Sequence, residues 1–370
     1  MSHRVVIVGG GVAAVEAALA LRDLAGERVA LTIAAASSEF VYRPFAVMRP
    51  FQSEPTYRIE LAQIAKDVAA DVVFDTAVGV DPRRRQLLLS GRGPLAYDTL
   101  LIAIGARAEA TVGGGTITPW DWGGGHSFRA MLASVSKGRT KRITFVVPAG
   151  KVWALPLYEL ALLTSAYIIE NGIKGVALTL VTVEKAPLDV FGAEASGEVG
   201  ALLRQRGIRV LLDSETLGIE DGNVRTSGGA SIPSDATVAV PVIRPHGFSG
   251  VPTDEAGFII VDDHCRVGVD GNVFAAGDCT NLPLKQGGIA AQQADVAGAG
   301  VAAIVGAAVT PTPLRPQLHA LLFTGETPLH LGQTSGMDGS EGDGHPKRTE
   351  KIEARYLTPY LRAAKPPLHP

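Results

Sequence analysis

Among 370 residues only two are cysteines, Cys265 and Cys279, and they do not form a CxxC pair. Their scarcity excludes a disulfide framework, a cysteine zinc site and a vicinal redox dithiol, and it fits a reducing, cytoplasmic compartment. An excess of either charge is missing too. With 34 Lys and Arg against 37 Asp and Glu, the formal net charge is −3, so no basic field is available to hold a nucleic-acid backbone. No window reaches the roughly 18 to 20 uninterrupted apolar residues of a spanning helix, because charges and Gly-Pro pairs interrupt every run. A transmembrane anchor is therefore not expected, and peripheral contact with a membrane face is left to the C-terminus. No basic n-region with a cleavage site precedes the first strand, so the early apolar stretch is not read as an export signal. There is no Ser/His/Asp constellation and no carboxylate-histidine cluster with metal spacing, and no metal site is expected.

Glycine is abundant, and its placement organises the chain. "HRVVIVGGGVAAVEAALALRDL" reads as a short apolar strand, a glycine turn and a long Ala/Leu helix, followed by a second strand in "RVALTIAAA". In mid-chain, "ITFVVPAGKVWALPLYELALLTSAYIIENG" and "VALTLVTVEKAP" repeat that strand, turn, helix, strand order. The sequence thus predicts an α/β protein with two interleaved, doubly wound Rossmann-like domains. Segments 1–108 and 237–308 are assigned to the first, 109–236 to the second and 309–370 to a C-terminal extension. Within that extension "GQTSGMDGSEGDGHPKR" reads as an exposed loop. In "EKIEARYLTPYLRAAK", Ile352, Tyr356, Tyr360 and Leu361 fall near one helical face, for packing on the body, on a second subunit or on a membrane surface.

Gly9, Gly11 and Ala14 match G-x-G-x-x-G/A directly after a strand and at a helix start. Gly9 permits the tight turn, Gly11 a close backbone approach to a pyrophosphate, and Ala14 close helix packing. Gly10 and Ala13 complete the turn. The acidic ribose-binding residue expected about 20 residues on is absent; Ala34, Ala35 and Ala36 end that strand, leaving Ser37, Ser38 or Glu39 to substitute. "LLIAIGARA", with Ala103, Gly105 and Ala106, is a strand running into a small-residue turn. "NVFAAGDCT" ends another strand in Gly277-Asp278, where Asp278 is placed to accept a ribityl hydroxyl and the following helix points its positive end at a flavin edge. Together the three elements indicate FAD. Lys285 could stabilise negative charge on the reduced flavin, with the Gln286 and Gly287 backbone reaching its O2.

Gly9-x-Gly11, "IAIGA" and "AAGD", in this order around a second βαβ unit, resemble the two-dinucleotide-fold flavoproteins of the pyridine nucleotide-disulfide oxidoreductase superfamily. The likeness covers the chain to about residue 330 and is greatest to the branch of sulfide:quinone oxidoreductases, flavocytochrome c sulfide dehydrogenase flavoprotein subunits and type II NADH dehydrogenases. It implies that Arg43 and Pro44 of "EFVYRPF" line the flavin, that the backbone near Val78 holds the adenine, and that one flavin serves two half-reactions. A small-molecule donor delivers electrons and a quinone or similar acceptor removes them.

The second glycine turn departs from the NADH-binding pattern. Pro148 stands at its first glycine position and Trp153 at its third, with Gly150 retained between. Proline removes an N–H donor and an indole obstructs a pyrophosphate. The stretch matches the sulfide:quinone oxidoreductase form better, through Pro156, Tyr158 and Glu159, yet Trp153 occupies the place of a sulfur-handling cysteine. An indole cannot replace a thiolate nucleophile. Trp153 is thus either a group that reshapes the cavity over the flavin or a cavity filler. "GGIAAQQ" keeps Ala290, Gln292 and Gln293 of a quinone-side pattern, with Gly288 in place of its first Gln. Cys279 reads as a buried inert thiol, and His126 and His246 as loop histidines able to supply a proton. The preferred expectation is a sulfide:quinone oxidoreductase-like flavoprotein without the cysteine pathway. An NAD(P)H-dependent acceptor reductase, using Glu184 to bind a ribose, and a non-enzymatic flavin redox sensor or interaction protein stand as alternatives.

Overall fold

The computed structural model describes residues 2–51, 57–113, 116–118, 126–268, 271–332 and 350–364. Its largest sheet has five parallel strands in the spatial order Val273–Ala275, Thr99–Ile102, His3–Val8, Val29–Ala35 and Ala70–Phe74. Val5 to Val8 and Thr99 to Ile102 are all buried and, Thr99 apart, apolar, the pattern of strands covered on both faces. The chain winds outward from His3–Val8 to Ala70–Phe74, then returns to place Thr99–Ile102 on the other side. That reversal opens a crevice at the carboxyl ends of the two central strands, where Gly9 and Ala103 lie.

A second parallel sheet has the order Ile208–Leu211, Ala177–Thr182, Arg142–Val147 and Ala236–Ala239, so the repeat legible in sequence is repeated in space. Each sheet carries a three-stranded antiparallel meander at an equivalent point of its course, 77–96 in the first and 216–233 in the second. Arg107–Glu109 and Val242–Arg244 pair antiparallel where the chain crosses between the two units. The helix Leu155–Glu170 is buried all round from Leu155 to Ala166, which makes it central to the molecule. Pro156 is tolerated in its first turn, where no intrahelical donor is needed.

The helices Val12–Ala25 and Gly287–Ile304 cover one face of the first sheet, and small residues let them approach closely. A Cβ at Gly298 would lie 3.3 Å from that of Ala20, and one at Gly300 would lie 2.7 Å from the Phe274 ring. After Ile304 come a hairpin, His319–Leu322 with Leu329–Gly332, and the helix Leu357–Ala364. Residues 333–348 of the glycine-rich stretch lie outside the described residues. The terminal helix is shorter than its sequence pattern predicts. Ile352 and Tyr356 precede it, and Leu357 and Leu361 are its buried residues, packed with Val15, Leu61 and Ile64 of the first unit. No described helix is long and apolar enough to cross a membrane.

Candidate functional site

The crevice is built from three turns that the fold brings together. Gly9 has φ +128°, donates its N–H to the Ala34 carbonyl at 2.8 Å, and lies so close to the next strand that a Cβ would overlap the Ala103 carbonyl oxygen. Only glycine fits there. A side chain at Gly10 would strike Leu61, whereas one at Gly11 would meet nothing within 4 Å. Gly11 caps the Val12–Ala25 helix with no side-chain hydrogen bond, which leaves the first-turn amides for an anion. Gly277, with φ +85°, fits between Ala13 and Ala290; an added Cβ would lie 3.2 and 3.5 Å from theirs. The Ala103–Ala106 stretch closes the third side, turned at Gly105 with φ +65°.

Asp278 follows Gly277 with cations on two sides. Burial raises its pKa, and the charges of Lys285 and Arg43 oppose that rise. Lys285 does not snorkel to solvent. It is 4% exposed, donates to the Thr280 carbonyl at 2.5 Å, and holds its ammonium 4.1 Å from the centre of the Phe258 ring. Burial lowers its pKa to about 8, against the attraction of Asp278. Gln286 caps the Gly287–Ile304 helix by accepting the Ile289 N–H at 2.8 Å, and its amide donates to the His319 carbonyl, so its side chain is committed to the fold. Gly287 faces Ile352, whose side chain fills the space a Cβ would need.

The other predicted residues are placed as follows. The Ser37 hydroxyl turns back onto Glu39, accepting its N–H at 3.1 Å, and Glu39 is tied to Arg58 at 2.5 Å. The Val78 carbonyl accepts the Ser249 N–H at 3.2 Å, leaving its half-exposed side chain at the surface. Cys279 is buried, donates weakly to the Ala276 carbonyl, and has its pKa pushed up to about 12 by burial, as an inert thiol should. His126 opens a helix rather than a loop, and His246 is exposed with its pKa lowered by partial burial and by the charge of Arg107. Gln292 exchanges two hydrogen bonds with the Gln317 backbone, both 2.9 Å.

In the second turn Ala149 and Gly150 remain exposed, while the half-buried indole that follows them packs against the body of the unit. The Trp153 ring meets Phe191 edge-on at 5.9 Å, within the core of the second unit. Gly150, with φ +114°, packs against Val242, and the Lys151 carbonyl accepts the Ile243 N–H at 2.8 Å. Behind the turn, the Tyr158 hydroxyl donates to Glu184 at 2.5 Å and Thr182 donates to it at 2.7 Å. Burial raises the pKa of Glu184 while both donors pull it down.

Sequence reasoning read Gln293 only as part of a quinone-side pattern and missed Lys151. Gln293, 1% exposed, accepts the Gly277 N–H at 2.9 Å and donates to Thr280 Oγ1 at 2.9 Å, so it braces the turn that presents Asp278. Its signal was a polar residue on the buried stripe of Ala290, Ala294 and Ala297. Lys151 rests 4.2 Å from the centre of the same Phe258 ring as Lys285 and pairs with Asp254 at 3.5 Å. Nothing local in sequence marks that meeting.

Two dinucleotide-type folds, with a glycine turn and a Gly-Asp turn meeting at the switch point of the first, define an FAD-dependent oxidoreductase. The chain belongs to the pyridine nucleotide-disulphide oxidoreductase family, whose pattern matches residues 3–151 and 158–300. The unmatched residues 152–157 are the stretch carrying Trp153. The chain is 26% identical over 361 residues to the nitric oxide reductase FlRd-NAD(+) reductase of Aeromonas salmonicida, covering 91% of this chain and 86% of that protein. It is likewise 26% identical over 310 residues to the biphenyl dioxygenase system ferredoxin–NAD(+) reductase component of Paraburkholderia xenovorans, covering 78% and 70%. In fold it is similar to the sulfide:quinone oxidoreductase of Aquifex aeolicus, with a TM-score of 0.80 at 18% identity over 90% of this chain and 87% of that one. The protein binds FAD, and the first unit offers the turns that fit it.

Proposed function

We propose that the protein takes electrons from a small-molecule donor other than NAD(P)H and passes them through FAD to a quinone or similar acceptor, as a sulfide:quinone oxidoreductase-like enzyme without the cysteine pathway. Bound FAD supplies the two-electron carrier. The first-turn amides after Gly11 hold the pyrophosphate, with Gly9, Gly10, Ala13 and Ala14 setting their approach. Asp278 accepts from the ribityl chain, while Ala103, Gly105, Ala106, Arg43 and Pro44 line the ring's surroundings. Lys285, Gln286 and Gly287 present positive charge and backbone amides at its pyrimidine edge. The Val78 backbone and the Ser37 region take the adenosine end.

The observation that carries this reading is the second turn, where Pro148 removes a donor and Trp153 packs on Phe191. The names of the Aeromonas and Paraburkholderia relatives favour a second reading, an NAD(P)H-dependent reductase, and Glu184 at the end of the second unit's strand supports it. In this chain that carboxylate is already engaged by Tyr158 and Thr182. Anaerobic addition of NADH, NADPH and sulfide, each followed by bleaching of the flavin band, separates the readings. The expected outcome is no rapid bleaching by either pyridine nucleotide; rapid bleaching by one of them overturns the proposal. With Trp153→Gly, new or improved NADH turnover would mark the indole as a block, and loss of existing turnover would mark it as functional.

A further inference from the structure

Residues 350–364 are fastened to both units by buried carboxylates. Lys351 pairs with Glu159 of the central helix, and its ammonium lies 4.3 Å from the centre of the Phe323 ring. Phe323 donates its N–H to the same Glu159 oxygen at 2.8 Å and stacks on Phe45, next to Pro44. Ile352 then covers Gly287 at the start of the Gly287–Ile304 helix. At the other end, Glu16 of the Val12–Ala25 helix, with no exposed surface, accepts the N–H groups of Tyr356 at 2.9 Å and Leu357 at 2.5 Å. Glu16 thereby caps the terminal helix from outside it.

A second acid shares this clasp. Asp295, on the Gly287–Ile304 helix, is hydrogen-bonded to Glu16, and its Oδ1 is buried with no partner among the described residues. Two carboxyls in such contact hold one proton between them, because ionising both would set two like charges side by side in a largely buried interface. Burial raises the pKa of Glu16 as well, but the Tyr356 and Leu357 N–H groups favour charge on it, so the proton resides on Asp295. Burial and the charge of Glu16 raise Asp295 to about 8, while Arg355 opposes them. The remaining groups facing the clasp are Asp23, which lies close to Tyr356, and Tyr356 itself; further along, the Tyr360 hydroxyl donates to Asp67 at 2.7 Å.

We propose that residues 350–364 form a strap over the flavin side of the Gly287–Ile304 helix, and that lifting the strap from the Glu16–Asp295 pair releases one proton. Lifting removes the donors from Glu16 and wets Asp295, which then titrates as an ordinary carboxyl at about 4. Between that pH and about 8 the closed form holds one more proton than the open form. Closure is therefore firmest in acid. Each unit of rising pH favours opening about tenfold within this window and has no further effect above it.

Hydrogen exchange of the holoprotein, corrected for the intrinsic pH dependence of amide chemistry, measures the opening at residues 356–361. Opening is expected to increase about tenfold per pH unit from pH 6 and to level off near pH 8. Asp295→Asn, which keeps a donor for Glu16 and has no proton to lose, is expected to flatten the profile. A flat profile in the native protein, or an unchanged slope in Asp295→Asn, overturns the proton linkage. An infrared titration tests it without relying on the variant's folding, since a protonated carboxyl band should disappear from the native protein near pH 8. Its absence at neutral pH would overturn the shared proton. Flavin release, followed by fluorescence, should quicken in step with opening; release that ignores pH while the strap opens would refute its placement over the flavin. None of these readouts depends on which donor reduces the protein.

Discussion

Gln293 and Lys285 sit behind and beside the same aspartate, and each makes a prediction of its own. Gln293→Leu leaves the buried Gly277 N–H without its acceptor, while the Thr280 hydroxyl keeps its bond to the Gly277 carbonyl, a loss of about 1–3 kcal/mol for one unsatisfied buried group. Denaturant unfolding of the apoprotein should show that loss, and equilibrium dialysis should show weaker flavin retention as the Asp278 turn loosens. For Lys285, the ammonium deprotonates at about 8 when folded and near 10.4 when unfolded. Between those values the unfolded chain binds the extra proton, so this group makes stability rise with pH. Comparing unfolding at pH 7.5 and 9.5 in the native protein and Lys285→Met should reveal the contribution as a rise that the variant lacks. Residues such as Gly9 were legible in sequence because a strand, a turn and a helix start surround them within a dozen positions. Lys351 was not, because its partner Glu159 lies 192 residues away and the ion pair exists only after both units fold.

The two long helices show how packing overrules local preference. In an isolated helix Gly300→Ala would gain about 1 kcal/mol of propensity. Here the added Cβ would lie 2.7 Å from Phe274, and overpacking costs about 1–3 kcal/mol. A net loss of stability is expected, read as a lower melting temperature; a gain would show that the Phe274 ring yields easily. The small-residue composition of this helix was visible beforehand, while its partner was not. The terminal helix makes the complementary point. Its apolar pattern suggested a start before Tyr356, but backbone capping by Glu16 fixes the start at Leu357, and a cap supplied from the first helix leaves no mark in the neighbouring sequence.

For the molecule as a whole, the Glu159–Lys351 pair joins elements that neither sheet holds together. Lys351→Met should destabilise by about 3–5 kcal/mol because it strands a buried carboxylate, whereas the Glu159→Gln and Lys351→Met pair together should recover much of the loss. A double-mutant cycle in urea checks this, and equal losses in the single and double variants would contradict it. The fold class and the repeat were readable from the order of apolar strands, turns and helices. The packing of the indole after the second turn was readable only in part, since Pro148 and Trp153 announced a departure but Phe191, which receives the indole, lies 38 residues beyond Trp153.

The order of strands in the larger sheet also has a consequence for biosynthesis. Thr99–Ile102 stays a bare sheet edge until Val273–Ala275 arrives beside it, and by then the whole of the smaller sheet, from Arg142 to Ala239, has already been made. During translation the later-starting unit can therefore be complete while the earlier one still exposes a largely apolar strand, an arrangement prone to wrong partners. Ribosome-bound chains in which Ala239 has cleared the exit tunnel but Val273 has not should contain a protease-resistant core that excludes the N-terminus, and the glycine crevice should become able to retain flavin only in chains long enough to free Asp278 and the helix beyond it from the tunnel.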